Sequence, residues 1–180
     1  MSESSPCQPD FDPERSWRVL EARLEEERDP QRRLLLERVR DHVRTEIQGD
    51  FEGLMETLVD EPQYHFFGMG PDAGPKGRAA VEAFYKQMLA SGGNRFEFEM
   101  HRVVVDAGAV ITEGQLRQVM PGSALLASQI EAVESAAVDP DASYLSEMQI
   151  LTVWPAGPDG RLIGEDIYFG SPPLSKLRRL

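Results

Sequence analysis

Residues 77–100, GRAAVEAFYKQMLASGGNRFEFEM, decide the fold class because their hydrophobic period changes partway along. In the first part, apolar side chains recur at the three-to-four spacing of a helix face: Val81, Phe84, Tyr85 and Met88. A double glycine ends that pattern, and after it apolar and polar residues alternate as in a half-buried strand. The stretch therefore predicts a helix that leads directly into a β-sheet.

Helical patterns also precede this stretch. Residues 13–29 begin with a proline after Asp12, which can cap a helix, and their apolar residues keep helical spacing. A second helix is predicted from the following Asp-Pro pair to Gln48, with Gly49 as its stop, and a short third helix at 50–60. Three helices are thus expected before this stretch.

Strand patterns dominate the rest of the chain. Residues 95–122 predict two strands around a tight turn at 106–108, and residues 144–154 and 161–170 predict two more, joined by PAGPDG. Residues 63–68, QYHFFG, predict a further short strand, and residues 122–143 an insertion that is partly helical. Helices followed by antiparallel strands indicate an α+β fold. We expect a curved antiparallel sheet wrapped around the N-terminal helices, a cone with an interior pocket.

Composition narrows the class of protein. The net charge of −12 argues against nucleic acid as a partner, because phosphate binding needs clustered Lys and Arg. No apolar run is long enough to span a bilayer, and the polar N-terminus does not resemble a secretory signal, so no membrane partner and a cytoplasmic location are expected. Cys7 is the single cysteine, which leaves no disulfide framework. We expect a disordered tail at 1–12, an extension helix at 13–30 and one domain at 31–180.

Three strings resemble the nuclear transport factor 2-like superfamily, which includes ketosteroid isomerase and the SnoaL-like polyketide cyclases. They are IQGDFEGLMETL at 47–58, GPKGRAAVEAFYKQML at 74–89 and DGRLIGEDIYFGSPPLSKL at 159–177. The resemblance covers residues 34–175, apart from the insertion, and implies the cone-shaped fold. It also implies a small hydrophobic ligand, steroid-like or polyketide-like, and a homodimer through the back of the sheet.

The resemblance carries over to the site only in part. It places His42 where ketosteroid isomerases have an oxyanion-donating tyrosine, and Tyr85 at a second family tyrosine that contacts the first. The two essential aspartates of that enzyme are missing, since the corresponding positions hold Phe67 or Gly68 and a residue near Ile150. The resemblance therefore implies a pocket of this type and not a ketosteroid isomerase.

Strand alternation adds a carboxylate to these two residues. Glu165 shares a strand face with apolar residues that are expected to point inward, where a carboxylate without a cation is costly to desolvate. The predicted catalytic residues are His42, Tyr85 and Glu165. The residues predicted to bind a ligand in the pocket are Glu46, His65, Phe84, Met88, Thr112, Ile150, Trp154 and Phe169.

Two functions stay open at this point. The first is an acid/base isomerase, dehydratase or cyclase, a lyase- or isomerase-type enzyme in which His42 exchanges a proton near neutral pH. The second is a non-catalytic dimeric module that binds a hydrophobic ligand or a protein partner; a structural role for the extension helix is a third. No cofactor is predicted, and no metal, because His42 and Glu46 provide only two ligands at i and i+4.

Overall fold

Five helices and eight strands follow one another along residues 11–180, the part of the chain that this computed structural model describes. The helices are α1 (Arg15–Glu26), α2 (Pro30–Gln48), α3 (Phe51–Glu56), α4 (Arg78–Ala90) and α5 (Gly122–Ala127). The strands are β1 (His65–Phe67), β2 (Phe96–Val105), β3 (Ala109–Pro121), β4 (Ala132–Val133), β5 (Ala136–Ala137), β6 (Ser143–Pro155), β7 (Asp166–Phe169) and β8 (Leu177–Arg179). The predicted tail at 1–12 and Cys7 lie outside the described residues, apart from residues 11 and 12.

One curved, unclosed sheet carries the fold, with strand order β1-β7-β6-β3-β2. The long strands β2, β3 and β6 pair antiparallel, and the short edge strand β1 pairs parallel with β7. Helices α1 to α4 contribute to one apolar core together with the inner faces of β2, β3 and β6. The predicted α+β cone is confirmed.

Helix α2 is the central helix of the site, and its sequence explains both of its ends. The Asp29 side chain accepts hydrogen bonds from two backbone N–H groups of the first turn, and Pro30 takes the first helical position, where its missing N–H costs nothing. Gly49 ends the helix with φ of +74°, a left-handed conformation that glycine adopts without a Cβ penalty. The stripe that faces the core is fully buried and includes a histidine: Leu35, Leu36, Val39, His42 and Val43.

Helix α1 is attached to strand β2 through a buried carboxylate, that of Glu97. Glu97 has a fully buried side chain, and its oxygens accept from the Arg15 and Arg117 guanidinium groups at 2.7 and 2.6 Å and from the backbone N–H of Asp12 at 2.8 Å. The Ser16 hydroxyl also accepts from the backbone N–H of Phe98. The extension helix is therefore joined to the sheet by charge-assisted hydrogen bonds as well as by apolar packing.

Three local features differ from, or add to, what the sequence predicts. The basic C-terminal residues, for which no strand was predicted, form β8 and pair with β6 at Tyr144–Ser146. The last long strand begins only at Asp166, because Leu162 instead makes isolated bridges to Leu58 and Ala156. The insertion contains α5 and the two-stranded β4-β5 hairpin, around its own small core.

Across residues 11–180, none of the helices combines the length and apolarity needed to cross a bilayer.

Candidate active site

The inner face of the cone encloses an apolar cavity of about 290 Å³. Its lining is mostly aromatic, aliphatic and methionine side chains: Val43, Phe66, Met69, Phe84, Met88, Phe96, Phe98, Leu116, Met148, Ile150, Trp154, Ile167, Phe169 and Pro173, with the backbone of Gly93. Its polar lining consists of Glu46, Gln118, Thr152 and Glu165. No lysine, arginine or histidine among the described residues lines this cavity, so its electrostatic character is set by two carboxyl groups.

Glu165 reaches the cavity because the chain before β7 runs unusually close to its neighbour. A Cβ on Gly164 would lie 1.9 Å from the backbone oxygen of Gln63, so only glycine fits there. The adjoining hydrogen bonds, from Gln63 N–H to Ile163 and from His65 N–H to Glu165, hold the two segments together. This approach fixes the direction of Glu165, which is 6% exposed.

Behind the cavity wall, the hydrogen bond between His42 and Thr57 defines the tautomer of the imidazole. The Thr57 hydroxyl donates its one proton to the Leu54 carbonyl at 2.6 Å, so its oxygen accepts from His42 Nδ1, also at 2.6 Å. The neutral imidazole therefore carries its proton on Nδ1 and directs the Nε2 lone pair toward the site. The ring also packs edge-on against Trp154, at 5.6 Å between centroids.

Two tyrosines connect His42 with Glu165. The Tyr85 hydroxyl lies 3.0 Å from His42 Nε2 and donates to Glu165 Oε1 at 3.1 Å, and that oxygen is 3.3 Å from Nε2. The Tyr64 hydroxyl is 2.9 Å from that of Tyr85. Burial raises the pKa of both tyrosines well above its usual value, so both hydroxyls stay protonated. The four side chains form one buried network along which a proton can move.

Glu46 is the second carboxyl group of the cavity and lies one helical turn after His42. Its pKa is raised well above the usual value, chiefly because it is buried in an apolar environment and in addition because the Glu165 charge lies close by. Within the described residues its carboxyl group has no hydrogen bond or ion pair. Both causes favour the protonated form of Glu46.

Protonation of Glu46 leads to a prediction about stability. A carboxyl group whose pKa is raised by folding binds more protons in the folded state, so its contribution to the free energy of unfolding falls as pH rises above the unfolded value, near 4.5. Glu46→Gln, which is permanently neutral, is expected to gain stability over the wild type as pH rises, by at most about 1.4 kcal/mol per pH unit. Urea denaturation of both proteins between pH 5 and pH 8 measures the difference. A difference in the free energy of unfolding that stays constant with pH would contradict the raised pKa of Glu46.

Three ligand atoms of this cluster lie close enough to bind one metal ion. Those of His42, Glu46 and Glu165 are all within 4.8 Å of one another, so Glu165 supplies a third ligand that the spacing of His42 and Glu46 did not reveal. The donor set suits a divalent transition metal. However, the Tyr85 hydroxyl lies against Nε2, the only imidazole nitrogen free to coordinate. The contacts therefore describe a proton network better than a metal site.

The predicted site residues fall into three groups. His42, Tyr85 and Glu165 come together, but only Glu165 lines the cavity, and His42 and Tyr85 lie behind it. Six predicted pocket residues line the cavity: Glu46, Phe84, Met88, Ile150, Trp154 and Phe169. The prediction for the remaining two, His65 and Thr112, needs correction.

His65 and Thr112 are both outside the cavity lining. His65 points away from it, stacks on Phe67 and contacts Asp72 at 2.7 Å, because alternation along β1 turns Tyr64 and Phe66 inward instead. Thr112 is buried and accepts the Trp154 Nε1–H at 2.9 Å, so it orients the indole from behind. Tyr64 and Thr57 were missed by the sequence analysis. Tyr64 could have been found from strand alternation, because an outward His65 places the neighbouring Tyr64 inward. Nothing in the sequence marks Thr57.

Residues 39–143 match the family model described as the SnoaL-like domain, and no curated protein matches the chain. The matched region contains His42, Glu46 and Tyr85 and ends before Glu165. Among solved structures, the chain is similar to the Mycobacterium tuberculosis protein RV0760c in complex with estradiol-17beta-hemisuccinate, with 17% identity and a TM-score of 0.58 over 81% of this chain and 98% of that one. It is also similar to an LEH-like epoxide hydrolase of M. tuberculosis, with 18% identity and a TM-score of 0.55 over 78% of this chain and 85% of that one.

A third structure of similar fold is the epoxide hydrolase/cyclase-like enzyme SalBIII, which is described as having a role in pyran ring formation in the polyether salinomycin. Its identity to the chain is 15%, with a TM-score of 0.55 over 81% of this chain and 95% of that one. At these identities the three structures show a shared fold and leave the chemistry to the residues of the site.

Proposed function

The chain belongs to the SnoaL-like domain family, and from this premise we propose that it binds a small hydrophobic compound and moves a proton on it, as an isomerase, dehydratase or cyclase does. The observation that carries the proposal is the pair Glu46 and Glu165, close together in an apolar cavity without a cation. Carboxyl groups whose surroundings differ in this way take opposite roles in proton transfer.

The two groups have complementary roles in this proposal. Glu165, which accepts from Tyr85 at 3.1 Å, is the general base that takes a proton from the ligand. Glu46, whose pKa is raised by burial, is the general acid that donates to an oxygen of the ligand, such as a carbonyl or hydroxyl. Both side chains line the cavity and reach the same small region of it.

His42 and Tyr85 are positioning residues, since neither lines the cavity. Tyr85 orients the carboxylate of Glu165, and Thr57 orients His42 so that Nε2 can take the proton that Glu165 acquires. The carboxylate of Glu165 is then restored, and the cycle closes when His42 gives up this proton and Glu46, which is partly exposed, takes one up. This division of roles replaces the expectation that His42 itself contacts the substrate.

The lining supports a ligand that is largely apolar and flat enough to lie among aromatic rings. RV0760c, which shares the fold, forms a complex with a steroid ester. We extend that ligand class to this chain: a compound with a fused or single hydrophobic ring and one polar oxygen beside the carbon that loses its proton.

Hydrogen–deuterium exchange tests the proposal without knowledge of the natural substrate. A panel of cyclic and steroidal ketones is incubated with the protein in D2O, and deuterium incorporation beside the carbonyl is followed by mass spectrometry. Exchange above the buffer rate for at least one ketone is expected. If ketones bind but no compound exchanges, the chain is a binding module for hydrophobic ligands, which is the second function that the sequence left open.

Two further proposals concern assembly and location. The outer face of the sheet, which carries Glu113, Gln149 and Tyr168, is the surface through which we propose that two copies pair. The molar mass of the purified protein in solution tests that proposal. The cytoplasmic location stays a prediction from the sequence.

A further inference from the structure

The polar side chains that line the cavity differ in whether the protein already uses their hydrogen bonds. They are Glu46, Gln118, Thr152 and Glu165. Glu165 accepts from Tyr85 at 3.1 Å, and the Gln118 amide donates to a backbone carbonyl at 2.7 Å. Glu46 and Thr152 have no hydrogen bond within residues 11–180. Water can reach Glu46, which is partly exposed, whereas Thr152 is only 1% exposed. In the described chain, Thr152 is thus the deeply buried polar side chain of this cavity that lacks a partner.

The Thr152 hydroxyl is exceptional among the buried threonines that the structure describes. The other two, Thr57 and Thr112, both hydrogen-bond to neighbouring side chains. Buried polar groups are nearly always paired, because an unpaired one loses its bonds to water without replacement. The Thr152 oxygen is not sealed by protein atoms, unlike the unpaired Ser146 oxygen on the same strand. The small exposed surface of Thr152 therefore includes its hydroxyl, and that surface faces the cavity.

We propose that the Thr152 hydroxyl donates a hydrogen bond to the oxygen of the ligand, the same oxygen that receives a proton from Glu46. This inference deepens the proposed function and rests on it for the presence of a ligand with such an oxygen. It makes Thr152 a catalytic residue, because its hydroxyl contacts the atom on which negative charge develops when Glu165 removes a proton.

Strand pairing places Thr152 beside Glu165. Thr152 on β6 lies opposite Ile167 on β7, and Glu165 precedes Ile167 by two residues on the same face. Diagonal neighbours of this kind have their Cβ atoms about 7 Å apart. A carbonyl group and its neighbouring carbon fit into this space, since the carbon approaches a base to about 3 Å and the oxygen approaches a hydroxyl donor to about 2.8 Å. One ketone can therefore present its proton to Glu165 and its oxygen to Thr152.

The arrangement accounts for every proton and electron pair of an enolisation. Glu165 takes the proton from the carbon, the electron pair of that C–H bond forms a C=C bond, and the carbonyl π pair moves onto the oxygen. The proton of Glu46 goes to that oxygen. The Thr152 hydroxyl donates a hydrogen bond to the other lone pair of the oxygen and keeps its own proton. Thr152 thus stabilises the developing charge without changing its own protonation state.

The hydroxyl is held in position before a ligand arrives. Thr152 lies within β6, which pairs at this point with Thr112 of β3 on one side and Ile167 of β7 on the other, so its backbone is fixed from both sides. Its side chain is branched at Cβ and has few accessible rotamers. A donor that needs no rearrangement is the kind that stabilises a transition state most effectively.

Two ligands of nearly the same shape test the proposal: 2-tetralone, a fused-ring ketone, and tetralin, which lacks the oxygen. Isothermal titration calorimetry of the full chain gives both affinities for the wild type, Thr152→Val and Thr152→Ser. We expect Thr152→Val, which keeps the shape of the side chain, to bind 2-tetralone about tenfold more weakly and tetralin within about twofold of the wild type. Thr152→Ser restores the hydroxyl and should recover most of the affinity for the ketone.

Deuterium exchange of the same ketone measures the contribution to the reaction. At saturating 2-tetralone, Thr152→Val should exchange about a hundredfold more slowly than the wild type, as expected for the loss of one donor to a developing oxyanion. Thr152→Ser should again recover most of the rate. Glu113→Gln, on the outer face of the sheet, should change neither the affinities nor the exchange.

The two measurements separate this inference from the proposed function. Equal ratios of the two affinities in the wild type and Thr152→Val, or no binding of 2-tetralone by the wild type, overturn the role of Thr152, whose hydroxyl would then bind only water. Exchange of other ketones by the wild type would still support the acid/base function. A ratio that falls in Thr152→Val while the wild type exchanges no ketone keeps the hydrogen bond and rejects that function. Thr152→Ala removes the hydroxyl without adding a methyl group and gives the same readings independently of how valine packs.

Discussion

Glu165→Gln is expected to reduce deuterium exchange and turnover about a thousandfold, within the range of general acid–base catalysis. The amide keeps the shape of the side chain and can still accept from Tyr85, but it cannot take a proton from the ligand. Because Glu165 is 6% exposed and no other carboxyl group occupies its position, water cannot replace it. The measurement is the exchange rate of the best ketone found for the wild type.

The control for this experiment is chosen to separate chemistry from binding. Glu113→Gln removes a carboxylate from β3, on the outer face of the sheet, where it pairs with Arg102 at 2.6 Å. It should keep wild-type exchange. Affinity of Glu165→Gln for the ketone should change less than tenfold. If that variant exchanges protons at more than a tenth of the wild-type rate, Glu165 is not the base.

Glu97→Ala is expected to lower the free energy of unfolding by about 3 to 5 kcal/mol. The Glu97 side chain is fully buried and accepts hydrogen bonds from the guanidinium groups of Arg15 and Arg117. The Arg117 side chain is itself only 13% exposed. Removal of the carboxylate takes from both guanidinium groups the buried anion that they share, which costs far more than a lost contact at the surface. Urea denaturation measures the loss.

Two comparisons identify the cause of that loss. Glu99→Gln, on the same strand, should change stability by less than about 0.5 kcal/mol. The double variant Glu97→Met with Arg117→Met replaces the buried pair by apolar side chains of similar volume and should recover most of the loss. A loss below about 1 kcal/mol for Glu97→Ala would mean that α1 is held by apolar packing alone.

The elements that could be predicted from the sequence are those with a local cause. The change from helical to alternating period after Tyr85 and Met88 identified the boundary between helices and sheet. Asp29, Pro30 and Gly49 marked the ends of α2, since capping depends on residues within one turn. By contrast, β8 has no signal of its own, because a three-residue strand depends on the partner it meets.

For the site, alternation along the strands predicted most of the inward-facing residues correctly, and position along the helices predicted some of them. Alternation placed Glu165 on the inner face together with Ile167 and Phe169, and it placed Ile150 and Trp154 on the inner face of β6. It was ambiguous for His65, whose strand has aromatic residues on both faces. The resemblance placed His42 and Tyr85 near each other, but neither pattern nor resemblance could tell that both lie behind the cavity wall.

The sequence by itself determined the four helices before the main sheet, its long strands and most of their apolar faces, and hence the curved α+β fold of a SnoaL-like domain. Only the tertiary structure decided that Glu46 and Glu165 share one cavity, that none of the described lysines and arginines lines it, and that Thr57 sets the tautomer of His42. The hydrophobic period of a segment and the capping of a helix depend on a few neighbouring residues, so they can be read from the sequence. The proton held by Glu46 depends instead on burial and on charge brought close by folding, and those are set by segments far apart in the chain.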